Sequence, residues 1–245
     1  MKKGGLTMTR RILSLLTAAL FLLLPLACAA AEGDYYYDEP HYGIVICRQM
    51  KVRNNASTSG KEYGQIKNSQ PVKIVGEHVN RNNVTDFYLL DLQSCGFKAD
   101  PGTFGYAKSS LIKMDPEYFY ASGMLDLYAT PWGDGKKNGE QGKRFFLILS
   151  GNGSWYAVQT LESSPGTSFI NTRNVSVYYQ SRYVVTWDAP LYDDYGTQIK
   201  TAKRGEFGYM ENQSADSTLL VFNRGEADKE FRAWIPTLYV APCVN

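Results

Sequence analysis

Asp86-Phe87-Tyr88-Leu89-Leu90, followed by Thr103-Phe104-Gly105-Tyr106-Ala107, is a pattern this chain uses three times. It returns as Ser154-Trp155-Tyr156-Ala157-Val158 with Thr167-Ser168-Phe169-Ile170. It returns again as Ser217-Thr218-Leu219-Leu220-Val221 with Arg232-Ala233-Trp234-Ile235. The aromatics at 106, 169 and 234 are spaced by 63 and 65 residues. Self-similarity at a nearly fixed period marks a chain of repeated units. The apolar runs are short, and no 3.6-residue stripe is sustained outside the first thirty residues. With 22 glycines and 18 tyrosines, that pattern predicts an all-β protein with many turns.

Working outward, a turn-rich loop and a strand precede each pair. Gly64-Gln65-Ile66 leads to Val72-Lys73-Ile74-Val75, Gly142 to Phe145-Phe146-Leu147-Ile148, and Gly196-Thr197-Gln198-Ile199 to Gly205-Glu206-Phe207-Gly208-Tyr209. Each unit is read as opening on a further short strand: Met50-Lys51-Val52-Arg53, Leu125-Asp126-Leu127-Tyr128 or Val184-Val185-Thr186-Trp187. Four or five short strands in about 65 residues support one small core. Such a sheet hides its edges by curling into a partly open barrel.

The first unit carries Met50-Lys51-Val52-Arg53-Asn54, Gly64-Gln65-Ile66, Val72-Lys73-Ile74-Val75, Phe87-Tyr88-Leu89-Leu90 and Gly105-Tyr106-Ala107. This resembles a bacterial SH3 domain of the SH3b type. Its departures are Met50-Lys51 for Leu-Asn, Phe87 and Tyr106 for Trp, and an insertion at 93–102. The second unit keeps Trp155-Tyr156-Ala157-Val158 and the third keeps Trp234-Ile235. The resemblance implies three tandem SH3-like small β-barrels, over 43–115, 120–180 and 183–241. They follow an acidic, tyrosine-rich segment at 32–42. It further implies binding modules of the kind that hold proteins on peptidoglycan.

Residues 1–31 read as a secretory signal peptide. Lys2, Lys3, Arg10 and Arg11 precede an uncharged apolar stretch from Ile12, which ends in small residues through Ala31. Cys28 leaves lipoprotein attachment as an alternative, although Pro25-Leu26-Ala27 ahead of it fits that signal poorly. Removing the leader takes four of 26 basic residues and none of 24 acidic ones, leaving 22 against 24. The remaining chain is slightly acidic, which argues against nucleic acid as a partner, and it offers no stable membrane span.

Three cysteines remain, Cys47, Cys95 and Cys243, and export permits a disulfide. The 93–102 insertion costs entropy to order, so Cys47–Cys95 is the expected bridge, stabilising by about 4 kcal/mol. The alternative brings Cys243 back onto the first unit, which requires the three units to curve until their ends meet. The aromatic joints Tyr118-Phe119-Tyr120 and Tyr178-Tyr179 predict units packed into one rigid rod or wedge.

Catalytic constellations are not evident. His41 and His78, the two histidines, read as solvated loop residues, and no cysteine has metal-ligand spacing. Asp193-Asp194 reads as a turn rather than an acid pair facing across a cleft. No enzyme activity, cofactor or metal is expected. Wall glycans and wall peptides are held by exposed aromatics in shallow grooves. The loop after the opening strand supplies Tyr63 in the first unit, Tyr128 and Trp132 in the second, and Trp187, Tyr192 and Tyr195 in the third. Trp155 and Trp234, mid-strand, are assigned to core or interface. The expected protein is a secreted or cell-surface binding protein that attaches to peptidoglycan or another surface component. The alternative is a scaffold for another exported protein.

Overall fold

The computed structural model describes residues 32–121, 125–133, 137–141, 144–151, 153–160, 166–174 and 182–243. The leader with Cys28, and the Tyr178-Tyr179 joint, lie outside them. The fold is all-β. The described helical pieces are three-residue 3-10 turns at Ser109–Leu111, Thr172–Asn174 and Thr237–Tyr239. Each turn starts three residues past Tyr106, Phe169 or Trp234, so it repeats with the aromatics. No helix among the described residues is long and apolar enough to cross a membrane.

The first sheet holds β1 (Gly33–Val45), β2 (Gln49–Arg53), β3 (Glu62–Lys67), β4 (Pro71–Val79), β5 (Thr85–Asp91), β6 (Phe104–Lys108) and β7 (Ile112–Met114). Its order is β3-β2-β6-β5-β4-β1-β7. The second holds β8 (Tyr118–Ala121), β9 (Leu125–Tyr128), β10 (Lys137–Gln141), β11 (Arg144–Gly151), β12 (Trp155–Thr160) and β13 (Ser168–Asn171), ordered β10-β9-β13-β12-β11-β8. The third holds β14 (Arg182–Val185), β15 (Ala189–Tyr192), β16 (Gln198–Ala202), β17 (Phe207–Gln213), β18 (Ser217–Phe222), β19 (Phe231–Pro236) and β20 (Val240–Pro242). It repeats the first order as β16-β15-β19-β18-β17-β14-β20.

These hydrogen-bonded orders stay open at both edges, so the described residues form no closed barrel. The first sheet nevertheless folds over itself. Ile66 of edge strand β3 and Ile112 of edge strand β7 share one core with Val45, Met50, Val52, Ile74, Leu90 and Ala107. Six flat strand spacings would hold those two edges about 29 Å apart. The bend is built in at a matching place in each unit. Register slips follow Ile74 on β4, Ile148 on β11 and Met210 on β17, and a bulge kinks and twists its strand.

Three sequence assignments shift. The third unit opens on Ala189-Pro190-Leu191-Tyr192, not on Val184–Trp187. Buried Ala189 and Leu191 alternate outward with Pro190 and Tyr192, as Met50 and Val52 alternate with Lys51 and Arg53. Val184-Val185 instead belongs to β14, a strand that precedes the opening one in every unit, as β1 and β8 do. Tyr118-Phe119-Tyr120 is therefore strand β8 rather than a joint, with Tyr118 and Phe119 buried. The tyrosine-rich 33–42 segment is likewise not separate. It is the first part of β1, laid antiparallel on β4 from Gly33 opposite Val79.

The strands β1, β8 and β14 meet. Ile44, Tyr118, Phe145, Leu147, Val184 and Ala241 form one buried cluster drawn from all three sheets, with Ile46, Tyr120 and Cys243 packed against it. Phe207 of β17 joins through rings 6.1 Å from Tyr120 and 5.8 Å from Phe145. Tyr42 donates to the Ala215 carbonyl at 3.1 Å, and Lys73 pairs with Asp216 at 3.1 Å, so the first unit also touches the third directly. The arrangement is a closed wedge rather than a rod.

Cys243 lies in that shared cluster, yet no bridge forms. Cys47, Cys95 and Cys243 are free thiols, and the expected Cys47–Cys95 disulfide is absent. The insertion orders itself by other means. Leu92 N–H donates to Thr103, Phe97 N–H to Leu92 and the Gln93 side chain to Ala99. Phe97 packs against Gly64, where a Cβ would sit 2.4 Å from the ring.

Candidate functional site

The same strand pair builds an aromatic place in each unit. The last residue of the opening strand stands opposite the repeating aromatic: Arg53 faces Tyr106, Tyr128 faces Phe169 and Tyr192 faces Trp234. Side chains alternate across a strand. With Ala233 and Ile235 buried, Trp234 between them points outward. A hairpin loop then leaves each opening strand beside this pair.

In the third unit, Asp193 fixes that loop as a turn. Its Oδ1 accepts from the Tyr195 N–H at 2.9 Å and the Thr197 N–H at 2.8 Å, and Gly196 supplies φ +80°. Asp194 accepts from Trp234 Nε1 at 2.9 Å. The turn thus holds Tyr195 at its tip, 93% exposed. In the second unit Tyr128 meets Trp155 edge-on at 5.4 Å, and Trp132 stands 71% exposed in the turn. In the first unit Arg53 donates to the Gly60 carbonyl at 2.6 Å, which braces the loop ahead of β3, where Tyr63 is 47% exposed.

The first unit adds a polar cluster. Asp34, on the early part of β1, accepts from the Tyr106 hydroxyl through one oxygen. Its other oxygen shares a 2.7 Å hydrogen bond with His78 Nδ1. Burial, then the Asp34 bond, raises the Tyr106 pKa well above the tyrosine range. His78 lies on β4 and His41 on β1, where His41 Nδ1 is 2.9 Å from Asp115. Both histidines are therefore strand residues with carboxylate partners, not loop residues.

Of the six predicted ligand residues, Tyr63 on β3 and Trp132 and Tyr195 in turns are exposed aromatics, one per unit. Tyr128 and Tyr192 are half-buried beneath them. Trp187 stands apart, ahead of β15, with the Arg204 guanidinium 5.9 Å from its ring centre. No single groove gathers the six. Trp155 and Trp234, assigned to core or interface from sequence, are half-buried members of the outward clusters. The alternation of Ala233, Trp234 and Ile235 carried that signal.

Burial pushes the Cys95 and Cys243 thiols up to about 12 and raises Cys47, so all three are protonated near neutrality. Among the described residues no group of three His, Cys, Asp or Glu could hold a metal ion.

No protein-family model matches the chain, and no curated protein matches it. Among solved structures it is similar to NlpC2 from Trichomonas vaginalis, with 7% identity over 83% of this chain and 99% of that one, at a TM-score of 0.24. It is similar also to NlpC1 from Trichomonas vaginalis, with 6% identity over 86% and 96%, at 0.23. At such TM-scores neither likeness bears on the activity of this chain.

Proposed function

We propose that this chain is an exported, non-catalytic binding protein that attaches to the cell wall or another cell-surface component through three tandem SH3-like units. One observation carries the reading: each unit presents an exposed hairpin aromatic, Tyr63, Trp132 or Tyr195, beside an outward ring or cation on the paired strands. Aromatic faces give large contact area at low entropic cost. Three such places on one rigid body suit a repetitive polymer, where linked weak sites gain by avidity. The basic and apolar leader supports export, and three protonated thiols support a non-catalytic role.

The test is retention of the chain without residues 1–31 on purified cell walls at low salt. Retention is expected, and the Tyr63→Ala/Trp132→Ala/Tyr195→Ala variant should be released. Failure of the parent to bind, or unchanged retention of the variant, overturns the reading. A second reading, a scaffold for another exported protein, is favoured by Tyr35 and Tyr36, 45% and 61% exposed on β1. It requires binding of such a protein that is lost on Tyr36→Ser and is indifferent to walls.

A further inference from the structure

The third unit contains a cavity of about 410 Å³ lined from β14, β16, β17, β18 and β19, with none of Tyr192, Tyr195 or Trp234 in its wall. That is within the size range of small-ligand sites. Its floor is aromatic, with Phe222 and Phe231 stacked at 4.9 Å and 9°. Cations ring it. Lys200 Nζ stands 4.9 Å from the Phe231 centroid. The Arg224 guanidinium lies 5.2 Å from the Tyr209 centroid, and that of Arg182 lies 5.1 Å from it on a 2.7 Å bond to the Tyr209 hydroxyl. Stacking orients a guanidinium while leaving its N–H edge to meet a planar oxyanion.

Lys200 and Arg224 make no ion pair among the described residues. Two acids also line the cavity. Glu226 is already paired with Lys229 at 3.2 Å, whereas Glu206 makes no ion pair among the described residues, with Lys203 a neighbouring charge. Arg182 is a third cation, since the Tyr209 hydroxyl it meets is neutral, so the lining favours an anion. The aromatic floor favours one with a flat apolar part over a phosphate, and Glu206 suits an adjacent hydrogen-bond donor.

The repeat supplies an internal control. Arg182 pairs across the sheet with Tyr209, one residue before the recurring bulge. At that place the first unit has Tyr42 opposite Lys73, and the second has Tyr118 opposite Leu147. Neither can form a guanidinium–phenol pair, so this lining is not repeated at the matching place in the other two units.

We infer that this cavity is a binding site for a small organic acid, its single carboxylate held by Arg224 and Lys200, its flat apolar part on Phe222 and Phe231, and an adjacent N–H or O–H donated to Glu206. The site is independent of the wall-binding aromatics. The test is a ¹H–¹⁵N NMR titration of the chain with N-benzoylglycine, following the amides of Gly205, Glu206, Asn223 and Gly225. Saturable shifts are expected, and Arg224→Gln or Lys200→Gln should each weaken binding about tenfold with the rest of the spectrum unchanged. Benzamide, lacking the carboxylate, should not saturate. Inorganic phosphate should bind more weakly than N-benzoylglycine, and it should gain on Glu206→Gln. Three results overturn the proposal: no saturable shift, shifts that survive both substitutions, or tighter binding of phosphate or of polygalacturonate, whose carboxylates lie along a chain. The Trp132→Ala and Tyr195→Ala substitutions should leave these shifts as they were, which separates this site from the proposed wall contact.

Discussion

The first and third units share a seven-strand order and a bulge, yet they use the same cross-strand pair in opposite ways. Tyr42 and Lys73 both reach out of the first unit, to the Ala215 carbonyl and the Asp216 carboxylate of the third. Arg182 and Tyr209, at the matching place, bond to each other and line a cavity. In one unit the pair closes the wedge; in the other it is released from that duty and becomes a surface for a ligand. A repeated scaffold lets one position serve assembly in one copy and recognition in another, because backbone register is shared while side chains are not.

Three measurements would break or sharpen that contrast. The largest effect is expected at the centre. Tyr118 is 1% exposed among residues of all three sheets. Tyr118→Ala should cost about 3–5 kcal/mol in urea unfolding, in the range of large aromatic truncations. A loss below about 1 kcal/mol would mean that the three units do not depend on a common core.

The second is alkaline unfolding. Burial, with Asp216 adding, pushes Tyr42 up to about 12 from an ordinary 10.0, and burial takes Cys95 and Cys243 from 9.0 up to about 12. Burial also raises Tyr118 beyond the tyrosine range. In the unfolded chain these groups lose protons first. Their contribution is therefore whole below about pH 9 and is lost as pH climbs towards 12. Tyr118→Phe should flatten the fall above pH 10 by up to about 1.4 kcal/mol per pH unit. An unchanged slope would remove Tyr118 from the set of groups held neutral by the fold.

The smallest effect belongs to the contact between the first and third units. The Asp216 carboxylate is largely exposed, so a double-mutant cycle of Lys73→Ala with Asp216→Ala should give about 0.2–1 kcal/mol, shrinking in salt. A coupling of zero would leave Tyr42 as the working half of that contact.

The repeating aromatics were legible from sequence because each sits in a short apolar run whose neighbours alternate inward. Ala233 and Ile235 around Trp234 show this best. The strand before each opening strand was not legible. Tyr118-Phe119-Tyr120 is apolar on successive residues, since one face meets its own core and the other meets the shared cluster, so the period of two is erased. Val184-Val185-Thr186-Trp187 misled for the same reason, and it moved the third opening strand and Trp187 out of place. Closure of the wedge depends on Ile44 finding Ala241, and the cavity depends on Arg182 facing Tyr209. Both are matters of distant register that no local pattern encodes. The hairpin aromatics, by contrast, sit in or beside short loops, so the exposure of Tyr63, Trp132 and Tyr195 could be read from local sequence.

The cluster shared by β1, β8 and β14 also sets an order of events. Ile44 is made well before Ala241, so the part of the cluster that the third unit covers stays open until β20 is made. Contacts of such long sequence separation are the slow ones to form. On the proposed export route, first residue first, the first two units would meet before the third joins them with β20. Removing Val240–Pro242 should therefore strip Val240 from the third unit's own core and Ala241 from the shared cluster at once, leaving the first two units folded but unlatched from the third.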